Sequence, residues 1–191
     1  MKKRIFALSL SAALLLALLC ACSGGGKSQK SVDLASFYLG LTEKYAVCET
    51  PEQAYPDDMV NDDSYFEPGT SAEQRQEWVN EQRELLRDMS LANYPGLSDI
   101  AVEQCLVYAP MFSLSAAESV LIQVSNASDV DAVKKILQAR VDGQVAGGAF
   151  YPMAVEAWEN NSRIVSNGSY VMLIVSEDCD AVVGEFNAVV E

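Results

Sequence analysis

Histidine is absent from all 191 residues of the sequence. This absence excludes Ser-His-Asp and Cys-His catalysis, zinc sites with histidine ligands, and the side chain that most often acts as a general base near neutral pH. Common nucleotide-binding and hydrolase motifs are missing too, because no GxSxG, Walker-type loop or GxGxxG occurs. Carboxylate pairs and Ser/Lys arrangements stay open, although no spacing singles one out. The sequence therefore predicts no specific catalytic residue and no cofactor.

Cysteine is scarce in the body of the chain, where only Cys48, Cys105 and Cys179 occur. An odd count with such wide spacing is not a disulfide framework, although one pair could form outside the cell. No CxxC or other metal-ligand spacing occurs, so no metal site is predicted. Cys105 lies in the apolar run VEQCLVYA, and we expect it to be a small core residue.

The first 26 residues have the order of an export signal. Three cations at positions 2–4 precede an apolar run at 5–21, and a cysteine, a serine and three glycines follow. The alternative is an uncleaved membrane anchor. However, this run has 17 residues, which is at the lower limit of length for a transmembrane helix, and two of them are serines. We therefore expect residues 1–21 to be a cleaved signal peptide.

Two cysteines compete for the end of this signal. Leu19-Cys20-Ala21-Cys22 resembles the box at which lipoprotein signal peptides are cut, with small Ala21 before the cut, whereas bulky Leu19 takes that place before Cys20. We expect Cys22 to carry the diacylglyceryl group, because its thiolate can form the thioether. The two acyl chains of this group, of which palmitate is one example, would hold the protein stably, whereas a single acyl chain binds a membrane only reversibly. Since the N-terminal cations stay in the cytoplasm, the rest of the chain is predicted at the outer face of the cell membrane.

Positive charge is scarce after the signal. From residue 22 onward the chain has 10 Lys and Arg against 27 Asp and Glu, a formal charge of −17. A field of this sign disfavours binding to nucleic acid and to anionic headgroups. The lipid would then be the link to the membrane. We expect a lipidated tether at 22–31 and a single α+β domain at 32–191 that includes an acidic loop at 49–70.

Hydrophobic periodicity predicts the order helix, helix, strand, strand, helix, strand, strand, helix. This order is typical of the α+β class, with a small, mainly antiparallel four-stranded sheet packed against amphipathic helices. The predicted segments are helices at 32–47, from 70 or 71 to 93, from 128 to 143 and from 178 or 180 to 190, and strands at 101–109, 119–125 and on both sides of Asn167-Gly168.

Local signals refine these segments. Ser31 is a plausible N-cap of the first helix, and Glu73 and Gln74 are placed for a capping box in the second. Asn167-Gly168 predicts a type I′ hairpin turn, and the apolar strand after it is expected to be central. The remaining signals are a capping box at Ser128–Asp131 and an inward stripe of Trp78, Leu85, Leu86 and Met89 on the second helix.

The acidic loop has seven acids, three prolines and no cation between Glu49 and Thr70. Such a segment does not easily bury surface, so we expect it to be exposed. An alternative role for this segment is calcium binding by five of its acids, which are Asp57, Asp58, Asp62, Asp63 and Glu67. The alternating ligands and central glycine of an EF-hand loop are missing, which favours a solvated loop.

The stretch from Glu103 to Ser176 resembles a family of bacterial lipoproteins built on the domain of unknown function 4358. The resemblance depends on KKILQARVDGQV, on the Phe-Tyr-Pro that follows, and on IVSNGSYVMLIVSED. An arginine and a glutamine on the helix, a Tyr/Pro pair and a Gly-x-Tyr recur in that family. Here they correspond to Arg140, Gln144, Tyr151-Pro152 and Gly168-Ser169-Tyr170. The resemblance implies a fold and a location, and no activity.

Two interpretations of these positions follow. In the functional one, Arg140, Gln144 and Tyr151 line a small groove in which the arginine binds an anionic group bidentately. In the architectural one, Arg140 pairs with an acid, Pro152 sets a corner and Tyr170 packs on the helix. Recurring glycine, proline and aromatic residues are commonly architectural, which favours the second.

Three functions agree with the sequence. The first is a membrane-tethered, non-catalytic binding or interaction module with an unidentified protein or small-molecule partner. The second is a small extracytoplasmic enzyme that uses carboxylates of the acidic loop or Glu156 and Glu159. The third is a structural component of an envelope complex. The absence of a catalytic constellation favours the first.

Overall fold

A computed structural model of the chain describes residues 31–110 and 116–191. The predicted signal peptide, Cys22 and nearly all of the tether lie outside the described residues. Six α-helices and one four-stranded antiparallel sheet occur in the described part, so the α+β prediction is confirmed. In chain order the elements are α1 (Leu34–Thr42), α2 (Pro51–Ala54), α3 (Ala72–Ala92), β1 (Val102–Tyr108), β2 (Glu118–Val124), α4 (Val130–Gly143), α5 (Pro152–Asn160), β3 (Ser162–Asn167), β4 (Tyr170–Val175) and α6 (Cys179–Val190).

The sheet has the strand order β1-β2-β4-β3, and all neighbouring strands are antiparallel. Its two central strands are β2 and β4, and every residue of β4 is buried. The apolar run of β4 therefore reflects burial on both faces of the sheet, as predicted for a central strand.

Each face of the sheet has its own hydrophobic core. On the first face, residues of β2 and β4 pack with Val133 and Leu137 of α4 and with Trp158 of α5. On the second face, the alternate residues pack with Tyr38 of α1 and Phe186 of α6. The period of two in a strand sends successive side chains to opposite faces, so three layers form, with the sheet in the middle.

The cysteine Cys105 does not belong to either core, contrary to the expectation for the run VEQCLVYA. It is exposed, because β1 is an edge strand and its residues are only partly covered. Cys48 and Cys179 are buried, and all three cysteines are free thiols in the structure.

The hairpin between β3 and β4 is present where it was expected, but its turn is shifted by one residue. Asn167 pairs with Tyr170, which leaves Gly168 and Ser169 as the two loop residues. Gly168 has φ of 56°, and no non-glycine residue of the described part has a positive φ. Type I′ requires positive φ at both central positions, so the type I′ prediction is wrong, and glycine at the first position alone fits type II′.

The helix starts confirm one capping prediction and correct two. At α3 the Ser71 side chain accepts from the Gln74 backbone N–H and the Gln74 side chain binds back, which is the predicted capping box. At α1 the N-cap is Asp33 instead of Ser31, and its carboxylate accepts from two backbone N–H groups. At α4 the N-cap Asp129 makes no side-chain bond, because a short 3₁₀ turn at Ala127–Asp129 precedes the helix.

The buried face of α3 differs from its predicted apolar stripe. Leu85 and Met89 are about half exposed, whereas Val79 and Ser90 are buried. Between these buried positions lie arginines that donate to the acidic loop: Arg83 donates to the Tyr55 carbonyl and to Asp57. The acidic loop is accordingly exposed, but these hydrogen bonds attach it to α3. It contains α2 and two 3₁₀ turns, at Asp57–Asn61 and Asp63–Tyr65.

Helix α5 has no counterpart among the segments predicted from the sequence. This helix has nine residues, begins at Pro152 and buries Ala154 and Trp158. Between α4 and α5 a π-helical segment, Gln144–Gly148, contains Gly147 with φ of 119°. Among the residues that the structure describes, no helix is both long and apolar enough to cross a membrane.

Candidate functional site

A cleft of about 330 Å³ lies between α3, α4 and α5 at the start of β2. Its apolar wall includes Leu86, Met89, Ala154 and Trp158. Its polar lining consists of Ser90, Asn93, Glu118, Arg140 and Gln144. We call it the Arg140 cleft. Polar and apolar groups share its lining, and a hollow in which a few polar groups converge beside apolar walls is a common form of a small-molecule site.

Two elements position the central pair of this cleft. Arg140 is in the last turn of α4, one turn after Leu137, which is anchored in the core. Glu118 is the first residue of β2, and its side chain is only 2% exposed. A carboxylate at this depth needs a charged partner, because an unpaired buried charge is strongly unfavourable.

The guanidinium of Arg140 supplies that partner in a bidentate pair. Nε donates to Oε1 of Glu118 at 3.0 Å, and Nη2 donates to Oε2 at 2.9 Å. The hydroxyl of Tyr94 donates to the same Oε1. Cζ of Arg140 also lies 5.4 Å from the ring centroid of Trp158 and 5.9 Å from that of Tyr94. Hydrogen bonds and aromatic rings therefore fix the guanidinium in one orientation.

The pKa values of Tyr94 and Arg140 follow from their burial and from the charges beside them. Burial and the adjacent Glu118 carboxylate raise the pKa of the Tyr94 hydroxyl well above its ordinary value. For Arg140, burial lowers the pKa, but the hydrogen bonds that it donates to Glu118 and the charge of that carboxylate outweigh the effect of burial, and the net pKa is raised. Tyr94 is therefore neutral and Arg140 charged at every physiological pH, which makes Tyr94 a fixed hydrogen-bond donor rather than a base.

One edge of Arg140 stays available. Nη1 makes no hydrogen bond to any residue of the described part, and every buried side-chain nitrogen or oxygen there has a partner. The arginine side chain is 19% exposed and lines the cleft, so its unpaired edge is presented to whatever enters.

A second cleft, of about 520 Å³, adjoins the first along α4. The two share Asn93, Arg140 and Gln144, and the second is also lined by Lys135. Within the described residues, the ionisable side chains that line the two clefts are Glu118, Lys135 and Arg140. Their formal sum is +1, in a chain whose expected mature form carries −17. The two clefts are therefore a locally cationic region of an acidic protein.

The structure brings together two of the three residues predicted to form a groove. Arg140 and Gln144 line both clefts, whereas Tyr151 lines neither. Tyr151 is instead partly exposed and packs edge-on against Phe150, with 5.2 Å between ring centroids. Arg140 does pair with an acid, as the architectural interpretation expected. Tyr170 is buried and accepts a hydrogen bond from the Val32 backbone, far from α4.

The carboxylates proposed for catalysis do not gather in one place. Glu156 lines another cleft together with Glu177, and Glu159 does not line it. In the acidic loop, Asp57 pairs with Arg83 and Asp63 with Arg75. In residues 31–110 and 116–191 no group of three or more Cys, Asp or Glu side chains is placed to hold a metal ion.

Four residues of this region were not singled out from the sequence: Tyr94, Glu118, Lys135 and Trp158. Glu118 carried the clearest signal, because it opens an otherwise apolar run, ESVLIQV, that reads as a buried strand. A charge at such a position requires a partner. The partner's identity depends on the fold, which places α4 across the start of β2.

The family described as Domain of unknown function (DUF4358) matches residues 76–176 of the chain. This range contains α3 from its second turn, the Arg140 cleft and the whole sheet up to the end of β4. Comparison with curated proteins gave no match, and comparison with solved structures gave none either.

Proposed function

The chain belongs to the DUF4358 family of domains of unknown function, and we propose that it is a non-catalytic binding module, held at the outer face of the cell membrane by a lipid on Cys22. The observation that carries the binding role is the Arg140 cleft, where a rigidly held cation lies in the wall of a hollow with mixed polar and apolar lining. Preorganised polar groups in such a hollow favour binding, because little ordering is needed when a ligand enters.

The chemistry of the cleft supports binding rather than catalysis. Both oxygens of Glu118 accept hydrogen bonds from Arg140, and Oε1 also accepts from Tyr94. Both carboxylate oxygens are therefore already engaged in holding the arginine and the tyrosine. Tyr94 is held neutral, so it does not supply a base.

The geometry of the N-terminus agrees with a tethered module. The Val32 backbone N–H donates to Tyr170 Oη at 3.1 Å, and Gln104 Nε2 donates to the Val32 carbonyl at 2.8 Å. Tyr170 pairs with Gln123 at one end of the sheet, and Glu118 is at the other end of β2. Five steps along a strand span about 17 Å. A tether that leaves at residue 31 would therefore start at the end of the sheet opposite to the cleft.

The lipid anchor is tested by replacing each candidate cysteine in the full chain expressed in a bacterium. We expect Cys22→Ala to abolish the lipid-bearing N-terminal peptide and to leave the signal uncleaved. Cys20→Ala is the matched control and is expected to leave both lipidation and cleavage intact. Mass spectrometry of the N-terminal peptide reads the result. An unmodified Cys22 in the wild-type chain would end the lipoprotein proposal.

The binding role is tested by equilibrium dialysis of the full chain against a small-molecule extract of the producing cells. We expect at least one compound to be enriched by the wild type and not by Ala149→Trp, which fills the cleft from its rim. Ala146→Trp is the control, since residue 146 is exposed and does not line the clefts. Turnover of wall, peptide or ester substrates at enzyme-like rates would contradict the non-catalytic part of the proposal.

A second candidate is a component of an envelope complex. It is favoured by the exposure of Phe150 and Met153, which are 81% and 69% accessible beside α5. Large exposed apolar side chains grouped together often mark protein interfaces. Replacing both by Ser should then release a stable partner in a pull-down from detergent extracts, and recovery of no partner with the wild type would argue against it.

A further inference from the structure

Building on the proposed binding role of the Arg140 cleft, we propose that its ligand is a small apolar monocarboxylate. The carboxylate is held by the free edge of Arg140, and the apolar body lies against Trp158. Glu118 acts as the positioning residue that orients the guanidinium. This assignment names the class of ligand for the binding module, and it depends on that module binding something in the cleft.

The donor pattern of Arg140 makes it a receptor for a second carboxylate. A guanidinium has five N–H donors, arranged so that two of its edges can each grip a planar anion. Glu118 occupies the edge formed by Nε and Nη2, at 3.0 and 2.9 Å. The edge formed by Nη1 and the other hydrogen of Nη2 makes no hydrogen bond within residues 31–110 and 116–191, and Arg140 lines the cleft. Because Glu118, Tyr94 and Trp158 already fix the plane, a ligand meets a preformed fork.

The local charge favours a single negative charge on the ligand. Glu118, Lys135 and Arg140 sum to +1 across the two adjoining clefts, so a monoanion neutralises them. A dianion such as a phosphate would leave net negative charge in a chain that is already strongly acidic. Asn93 and Gln144, which line both clefts, add amide donors on the same side.

The walls of the cleft define the body of the ligand. Leu86, Met89, Ala154 and Trp158 present apolar surface, and Trp158 is itself 3% exposed. A volume of about 330 Å³ corresponds to about ten water-sized groups at about 30 Å³ each. A carboxylate with a body of six to eight carbons, at roughly that size, fills it.

The test uses cyclohexanecarboxylate as the probe and its neutral isostere cyclohexanecarboxamide as the comparison. Neither absorbs where tryptophan does, so binding can be followed by the fluorescence of Trp158. The full chain in detergent carries Trp78→Phe, which removes the other tryptophan. We expect the carboxylate to change the Trp158 emission at millimolar concentration and the amide to bind at least about tenfold more weakly, since it lacks the charge that the fork recognises.

Three substitutions locate the interaction. Arg140→Lys keeps the charge but has no second planar edge, so carboxylate affinity should fall by at least about tenfold. Lys135 is exposed, so Lys135→Gln should keep the fold, weaken binding by about two- to fivefold and reduce its salt dependence. Arg163→Lys is the matched control, because Arg163 makes a similar bidentate pair with Asp180 away from the cleft. It should leave the affinity unchanged.

The outcomes separate this inference from the function on which it rests. If acid and amide bind equally well, or if Arg140→Lys and Lys135→Gln both leave the affinity unchanged, the carboxylate assignment is overturned while the binding role stands. If neither probe changes the emission at about 50 mM, far above a millimolar dissociation constant, the assignment is overturned as well. In that case a ligand retained in the dialysis experiment would preserve the binding role, and its absence would remove both.

Discussion

The pair of Glu118 and Arg140 gives the sharpest prediction at the scale of single residues. Glu118→Ala leaves a guanidinium that is only 19% exposed without its carboxylate, and also removes the acceptor of Tyr94. We expect the free energy of unfolding to fall by about 3 kcal/mol. Asp180→Ala, at a pair whose acid is 79% exposed, should cost at most about 1 kcal/mol. Urea denaturation measures both, and equal losses would contradict the role assigned to burial.

The three cysteines should differ in reactivity. Cys48 is 7% exposed, and burial raises the pKa of its thiol to about 12. At pH 8 it is therefore protonated and shielded, and the thiolate needed for alkylation is absent. Cys179 is buried as well, whereas Cys105 is exposed. Of Cys48, Cys105 and Cys179, iodoacetamide should label Cys105 alone in the native chain and all three after unfolding, as read by peptide mass spectrometry. Native labelling of Cys48 at the rate of Cys105 would contradict this.

At the residue scale, Arg140 and Gln144 could be named as candidate site residues from the sequence, whereas the other residues that line the cleft could not. Arg140 and Gln144 are four residues apart on one helix face, so local spacing alone brings them together. Glu118 is 22 residues from Arg140 along the chain and joins it only because α4 crosses β2. Tyr151 was grouped with them because a Tyr/Pro pair recurs in the family that the chain resembles, but the π-helical segment at Gln144–Gly148 intervenes and Tyr151 does not line the cleft.

At the scale of elements, the hairpin of β3 and β4 should depend on Gly168. With φ of 56°, the position strains any residue that has a Cβ. Gly168→Ala should lower the free energy of unfolding by about 1 kcal/mol or more. Gly184→Ala is the matched control: it is in α6, no atom lies within 4 Å of its added Cβ, and it should stabilise the chain by about 0.5–1 kcal/mol. Thermal unfolding of both variants checks the opposite signs.

Elements with a local cause were predictable, and those set by tertiary contacts were not. The Ser71–Gln74 box and the hairpin are determined within a few residues, so their sequence signals were sufficient. On α3, the predicted stripe counted apolar residues only. The structure turns Arg83 toward the acidic loop, where it satisfies the Tyr55 carbonyl and exposes Leu85. Helix α5 has nine residues and little periodicity, and it is stabilised by burying Trp158.

At the scale of the whole molecule, excess negative charge should make stability depend on salt. From residue 22 onward the chain has 27 acids against 10 basic residues, and three of those acids, Asp57, Asp63 and Asp180, pair with arginine while at least 79% exposed. Such exposed pairs contribute little to the free energy of unfolding. The net electrostatic effect on the fold is therefore dominated by the excess of acids, which repel one another across the surface. Raising NaCl from about 0.01 M to about 0.3 M shortens the screening length from about 30 Å to below 8 Å.

We therefore expect the Tm of the chain to rise by about 2–4 °C over this range of NaCl, which corresponds to about 1 kcal/mol for a domain of this size. Screening also weakens the ion pairs that attach the acidic loop to α3, but this loss is small because the pairs are exposed. Arg75 and Arg83 keep their hydrogen bonds to backbone carbonyls of the loop at any salt concentration. As a control, the Tm is also measured in sucrose at the same osmolality as the NaCl solution, because sucrose is excluded from the protein surface but does not screen charges. A Tm that falls with salt would mean that surface ion pairs, rather than repulsion among acids, dominate the electrostatics of the fold.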